Sequence, residues 1–244
     1  MSQLHTPDVP TPFPLDHPDP TRSHRVYLAL TNGCNRACPW CSTCSSPAGS
    51  TYFPLHLLQT VLPETGPFEL QLEGGEPTIH PDFMAVVARA RAYSRCSRVV
   101  ICTNGVRIPR QMEKRQQWLR MLGSPLTLKL SINHHLLDQD PGLIRLAQQL
   151  VPEMMSIPES QLVLNVRLRK GYAHDDQAVL DQVTQAGLLA HTNVFYLQRY
   201  GFAADESGWE TPFLVGHNFR LVNPDGQIFG PDLIARSEAM RRLP

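Results

Sequence analysis

The chain has 244 residues, 42% of them hydrophobic, and its 22 Lys and Arg balance 22 Asp and Glu. A formal net charge of zero with no long basic run argues against a nucleic-acid partner, which ordinarily meets a basic face. No run of about 18 apolar residues is available to span a membrane and no charged-then-apolar leader pattern is seen, so a cytoplasmic protein with one sizeable core is expected.

In chain order, residues 1–23 are rich in proline (Pro7, Pro10, Pro12, Pro14, Pro18 and Pro20), which predicts an extended arm. From residue 24 onward, strand patterns alternate with helical ones. The strands are expected at 26–31, 68–73, 98–103, 126–133, 161–168 and 193–198, and the helices near 54–62, 82–93, 110–122, 141–154 and 175–188. Gly123 and Gly187 sit where a left-handed cap can end a helix. Such alternation predicts a parallel sheet. Six units rather than eight predict an α/β fold of the partial (β/α)6, TIM-like barrel type. Beyond residue 200, residues 217–230 read as a β-hairpin turning at Asn223-Pro224-Asp225-Gly226, followed by a helix near 232–241. The expected organisation is therefore an arm (1–23), a core (24–200) and a hairpin–helix extension (201–244).

Alternation along each strand sorts the side chains into two faces. Glu69, Gln71 and Glu73 oppose Leu70 and Leu72. Lys129, Ser131 and Asn133 oppose Leu128, Leu130 and Ile132. Asn165 and Arg167 oppose Leu164, Val166 and Leu168, while Tyr196 and Gln198 oppose Phe195 and Leu197. The helix-facing side must be apolar, so the polar side is expected to line a wet, substrate-sized interior. Glu69, Gln71, Lys129, Asn133, Asn165, Tyr196 and Gln198 are then the candidate substrate contacts.

Directly after the first strand come Cys34, Cys38 and Cys41, spaced C-x3-C-x2-C. Three thiolates on one loop can hold three irons of a cubane cluster and leave the fourth open. The alternative is a cysteine-bound zinc or iron–sulfur module with a structural role. A zinc site would use Cys34, Cys38, Cys41 and Cys44, although zinc knuckles usually come as two separated pairs. At the same edge, after the second strand, stands Glu73-Gly74-Gly75-Glu76-Pro77-Thr78. Its glycines permit close backbone approach to a ligand, and Glu76 with nearby carbonyls can receive a cationic amino group.

With these two motifs the chain resembles the radical S-adenosylmethionine (SAM) enzymes over about residues 24–200. The resemblance implies one [4Fe-4S] cluster on Cys34, Cys38 and Cys41, with SAM chelating the open iron. It also implies that Trp40 lies beside the adenine and that Gly74, Gly75, Glu76 and Pro77 bind the methionine amino group. Hydroxyls of Thr103 and Ser131, both read as inward, are further SAM contacts by resemblance, and Arg167 pairs with the SAM carboxylate or with the substrate. The implied reaction is reductive cleavage of SAM to a 5′-deoxyadenosyl radical, which takes a hydrogen atom from a small-molecule or peptide substrate. A one-electron reductant such as flavodoxin or ferredoxin is the implied partner. Relatives with a cysteine-rich SPASM or twitch extension hold more clusters, but no cysteine follows Cys102 here. Cys102 reads as outward and Cys96 as a helix end, so a single cluster is expected. Cys44 is either a small buried residue or a hydrogen-atom donor and is the candidate catalytic thiol.

Overall fold

Strand β1 (His24–Thr31) is flanked on one side by β2 (Phe68–Gly74) and on the other by β7 (Asn218–Val222). The computed structural model describes residues 22–169, 171–205, 212, 214 and 217–244; the expected arm lies outside the described residues up to residue 21. The remaining strands are β3 (Cys96–Thr103), β4 (Leu126–Ile132), β5 (Gln161–Leu168) and β6 (Thr192–Tyr196). All pair in parallel in the order β6-β5-β4-β3-β2-β1-β7, a curled half-barrel.

The crossovers are helical: α1 (Leu58–Val61), α2 (Phe83–Arg91), α3 (Met112–Leu122), α4 (His134–Gln139), α5 (Leu143–Met155) and α6 (Ala173–Gln185), with α7 (Leu233–Arg241) after β7. Their sequences explain their extent. In α5 the buried residues Leu143, Leu146, Ala147, Leu150 and Met154 recur at the spacing of one helical face. Gly123, at φ 69°, follows α3 where a left-handed residue ends a helix. Asn133 caps α4 by accepting from Leu136 N, and Asp232 caps α7 by accepting from Ala235 N. None of the described helices is long and apolar enough to cross a membrane.

The segment read as a hairpin contributes more than a hairpin. Its first arm is β7, which pairs with the otherwise open edge of β1 from His24 beside Asn218 to Leu28 beside Val222. Leu221 and Val222 are fully buried there. The second arm folds back through the Val222–Ile228 bridge and the bond from Phe229 N to Leu221 O. Backbone groups along the buried edge of β1 need partners, which is the physical reason for the seventh strand.

The sheet has two unlike faces. Leu28, Leu30, Leu70, Leu72, Ile101, Leu128, Leu130, Leu164 and Val166 are solvent-inaccessible and belong to one core that also takes in the helices. The register sets the other face: Tyr27 beside Gln71 beside Val100, Cys102 beside Lys129, Ser131 beside Asn165, and Arg167 beside Phe195. Neighbours on β5 test this sidedness. Leu164→Ala is expected to cost about 3 kcal/mol in urea unfolding. Asn165→Ala, which deletes a side chain whose Oδ1 has no partner among the described residues, is expected to cost less than about 1 kcal/mol. Equal losses would mean that the inner face is packed core.

Candidate active site

The cysteine loop leaves β1 through Gly33 and returns beneath its own start. Cys34 N donates to Ser46 O at 2.9 Å, Ser46 N donates to Asn32 O at 3.3 Å, and Cys41 N donates to Cys38 O at 3.2 Å. Cys34, Cys38 and Cys41 are all partly accessible free thiols and lie close enough for their charges to interact. Burial pushes the Cys34 thiol up to about 12 and the Cys38 thiol up to about 11, with the neighbouring cysteines adding to the rise. An uncompensated thiolate is costly there, and a bound cation would replace the protons. Donors already face the sulfurs: Asn104 Nδ2 stands 3.6 Å from Cys34 Sγ, and Ser45 N stands 3.4 Å from Cys41 Sγ. Hydrogen bonds to sulfur are a feature of thiolate-held iron–sulfur clusters, so this donor set fits one.

Cys44 departs from the group. It adopts a positive φ of 51°, and its thiol lies 3.8 Å from Ser237 O on α7 and interacts with Arg241. Ser237 Oγ in turn donates to Ser42 O at 3.1 Å. Cys44 thus belongs to the contact that docks α7 on the loop. A four-cysteine zinc site would need all four sulfurs about 2.3 Å from one ion. Among the described residues no three His, Cys, Asp or Glu side chains converge on such a point.

The Gly-Gly-Glu-Pro edge is braced against the cysteine loop. Gly75 N donates to Thr31 O at 2.7 Å, and Glu76 N donates to Gly33 O at 2.9 Å. A β-carbon on Gly75 would stand 1.8 Å from Gly33 O, and one on Gly74 would stand 2.4 Å from Thr31 O. These glycines therefore permit one backbone to approach another. Glu76 has no exposed surface. Its carboxylate accepts from Thr78 N (3.2 Å), Thr78 Oγ1 (2.6 Å), Thr103 Oγ1 (2.9 Å) and Asn104 N (2.8 Å). Burial raises its pKa and these donors oppose the rise. Asn104, which donates toward Cys34, is thereby fixed by its backbone to Glu76 and by its side chain to Asn35 Oδ1 at 2.7 Å.

Across the sheet, Lys129 Nζ donates to Gln71 Oε1 at 2.8 Å and Gln71 Nε2 donates to Glu73 Oε2 at 2.6 Å. Arg236 of α7 pairs with Glu73, and Arg25 pairs with Glu69. The Arg167 guanidinium lies 5.5 Å from the Phe195 ring centre. Trp40 is held between Arg169, 4.7 Å from its ring centre, and the edge of His135 at 5.8 Å, with Leu197 and Ala203 packed against it.

No protein-family profile matches the chain. Among curated proteins it is 31% identical over 91 residues to the GTP 3',8-cyclase of Chlorobaculum tepidum, covering 36% of this chain and 28% of that protein. It is 30% identical over 95 residues to molybdenum cofactor biosynthesis protein 1 of Drosophila melanogaster, covering 36% of this chain and 17% of that one. The matched stretch thus spans less than a third of these relatives. Among solved structures, SuiB of Streptococcus suis bound to precursor peptide SuiA superimposes with a TM-score of 0.56 at 12% identity, over 85% of this chain and 59% of that one. The enzyme anSMEcpe with bound AdoMet and peptide gives 0.53 at 14% identity, over 72% and 51%. The matched stretch is thus similar in sequence to GTP 3',8-cyclase, and the half-barrel is similar in fold to anSMEcpe and SuiB.

Within this half-barrel, several expected positions change meaning. Thr103 was expected to point inward, but the register places it beside Leu130, on the helix side, with its hydroxyl on Glu76. Cys102, expected outward, lies beside Lys129 on the inner face. Both shift because strand parity names two sides without saying which is inner, and only pairing with a neighbour decides. Tyr196 lies beside Leu168 rather than Arg167, so it is on the outer side of edge strand β6 and is 42% exposed. Gln198 follows the end of β6, where strand alternation no longer holds. Asn133 is occupied in capping α4, and Glu76 is occupied by its four donors rather than left open to an amino group. Ser131, Asn165, Arg167, Lys129, Gln71 and Glu69 do share the inner face. The sequence reading missed Asn104 and Arg236; an Asn between Thr103 and Gly105 was the only cue to the first.

Gly75→Ala is expected to cost about 3 kcal/mol in denaturant unfolding, because the clash is with backbone. Glu76→Gln is expected to cost about 2 kcal/mol, since an amide nitrogen would then face donors. Losses below about 0.5 kcal/mol at both positions would show that the edge is not braced as described.

Proposed function

We propose that the chain is a radical SAM enzyme, with Cys34, Cys38 and Cys41 holding one [4Fe-4S] cluster. The observation that carries this reading is the place of Cys34, Cys38 and Cys41 on one loop after β1, at the C-terminal edge of the parallel sheet, with Asn104 donating toward the Cys34 sulfur and Ser45 toward the Cys41 sulfur. That edge is where parallel α/β folds bind ligands. The AdoMet bound in the anSMEcpe structure and the S-adenosylmethionine bound in SuiB support the same reading for this fold. When bound, cluster and SAM supply one-electron cleavage of a carbon–sulfur bond and so a carbon radical able to take a hydrogen atom from an unactivated position.

The chain's own residues then have distinct tasks. Asn104 and Ser45 supply hydrogen bonds that lower the electron density on the sulfurs. Glu76 holds Thr103 and Asn104, and therefore the β3 edge, in place. Trp40, clamped by Arg169 and His135, gives the loop a fixed aromatic wall. Carbonyls of the Gly74–Pro77 edge are the acceptors offered to the methionine amino group. Ser131, Asn165 and Arg167 are the inner-face polar groups offered to SAM or substrate. The substrate is a small molecule or a peptide, and the electron comes from a flavodoxin- or ferredoxin-like donor. Residues 24–200 form the cofactor core in this reading, and 201–244 close it by docking α7 on the loop.

After anaerobic reconstitution the full chain is expected to hold about four irons and, with dithionite, to convert SAM to 5′-deoxyadenosine. Replacing any of Cys34, Cys38 or Cys41 by Ala is expected to remove both properties. A colourless zinc protein without cleavage would overturn the proposal, and about eight irons would overturn the single cluster. Asn104→Ala, with its iron retained, is expected to shift the cluster potential to more negative values in an EPR-monitored redox titration, because one hydrogen bond to sulfur is lost.

A further inference from the structure

The inner face of the half-barrel carries more positive charge than its carboxylates balance. Glu69 is paired with Arg25 and Glu73 with Arg236. Lys129 and Arg167 remain, and among the described residues neither has a carboxylate within ion-pair distance. Lys129 is held by Gln71, and Gln71 by Glu73. A continuous line of hydrogen bonds therefore runs from β4 across β2 to Arg236 on α7.

Three polar atoms around this line are buried without a hydrogen-bond partner among the described residues: Asn165 Oδ1, Arg167 Nε and Arg236 Nη2. Arg236 is only 3% exposed, so bulk water does not readily satisfy it. Leaving such an atom unmatched costs about 1–3 kcal/mol, and three of them on one side of a sheet is a cost that a ligand would remove. Ser131 beside Asn165 sets Lys129 and Arg167 on the same face of adjacent strands, and the hydrogen-bonded line leads from that face to Arg236. The hydrogen bonds and ring contact already made hold the cations ready: Arg236 through Glu73 and Asn223, Arg167 over Phe195, and Lys129 through Gln71. Arginine forks matched to a planar or tetrahedral oxyanion are the usual solution for binding carboxylate or phosphate.

We infer that Lys129, Arg167 and Arg236 bind an anionic group of the substrate, a carboxylate or a phosphate, on the inner face of the half-barrel. The inference rests on the reading of this interior as the reaction chamber. It assigns α7 a part in substrate binding, because Arg236 comes from that helix.

The test uses the anaerobically reconstituted full chain and calorimetric titration with inorganic phosphate and with malonate, each against chloride at equal ionic strength. Saturable binding of at least one is expected. Lys129→Met should weaken it by about tenfold or more, as expected for loss of a charged hydrogen bond, and Lys129→Arg should restore most of it. Should Lys129→Met fail to fold, Asn165→Asp, which sets a carboxylate beside Arg167, is expected to give a comparable loss. Tighter phosphate binding indicates a phosphorylated substrate, and tighter malonate binding a carboxylate substrate. Binding of neither anion beyond chloride, or equal binding by wild type and by the folded variants, overturns the inference. SAM cleavage by the wild type is read separately. Cleavage without anion binding sinks this inference alone, whereas anion binding without cleavage sinks the proposed activity alone.

Discussion

At the C-terminal edge of β1 and β2, two backbones approach so closely that no side chain fits between them. Gly75 faces Gly33 with no room for a β-carbon, and two backbone hydrogen bonds, Gly75 N to Thr31 O and Glu76 N to Gly33 O, join the strand ends. The start of the cysteine loop is tied to the sheet by this contact. The next residue extends the tie: the buried Glu76 carboxylate collects donors from Thr78, Thr103 and Asn104 and so joins β2 to β3. Asn104, fixed in this way, reaches Cys34. A backbone contact, a buried carboxylate and a sulfur-directed amide thus form one chain of dependence, and a disturbance at its start is felt at the thiols.

The second organising feature is the division of the sheet into a dry face and a polar one. Leucine, valine and isoleucine on the outer face pack against the helices and supply the stability of the domain. That leaves the inner face free to carry groups that would be costly in a core. Lys129, Gln71, Glu73 and Arg236 bond to one another in a line, while Arg236 Nη2, Asn165 Oδ1 and Arg167 Nε have no hydrogen-bond partner among the described residues. Helix α7 belongs to both features. Its Ser237 holds the cysteine loop at Ser42, and its Arg236 reaches Glu73 on the inner face.

The cysteine spacing, the Gly-Gly-Glu-Pro run and the strand–helix alternation were all legible because each is local. Six of the seven strands follow from short-range pattern. The seventh was visible only as half of a hairpin, since its partner, β1, is nearly two hundred residues away in sequence. The roles of single residues were less legible. Parity along β3 separates Cys102 from Thr103 but does not say which faces inward; Lys129 and Leu130 on β4 decide it. Glu76 reads as an available carboxylate until its donors, which come from later in the chain, are in place. Cys44 reads as a fourth cysteine of the loop until its positive φ turns it to α7.

The sequence by itself determined the chemistry on offer: three cysteines on a loop, a glycine pair beside them, and strands with one apolar and one polar side. These depend on composition and on spacing of two to four residues, which the backbone geometry of a loop or strand translates directly. Only the tertiary structure decided which thiol leaves the group, which carboxylate is occupied and which cations have no carboxylate partner among the described residues. Those properties arise between elements far apart in the chain, where register and packing set the distances and burial sets the cost of leaving a charge alone.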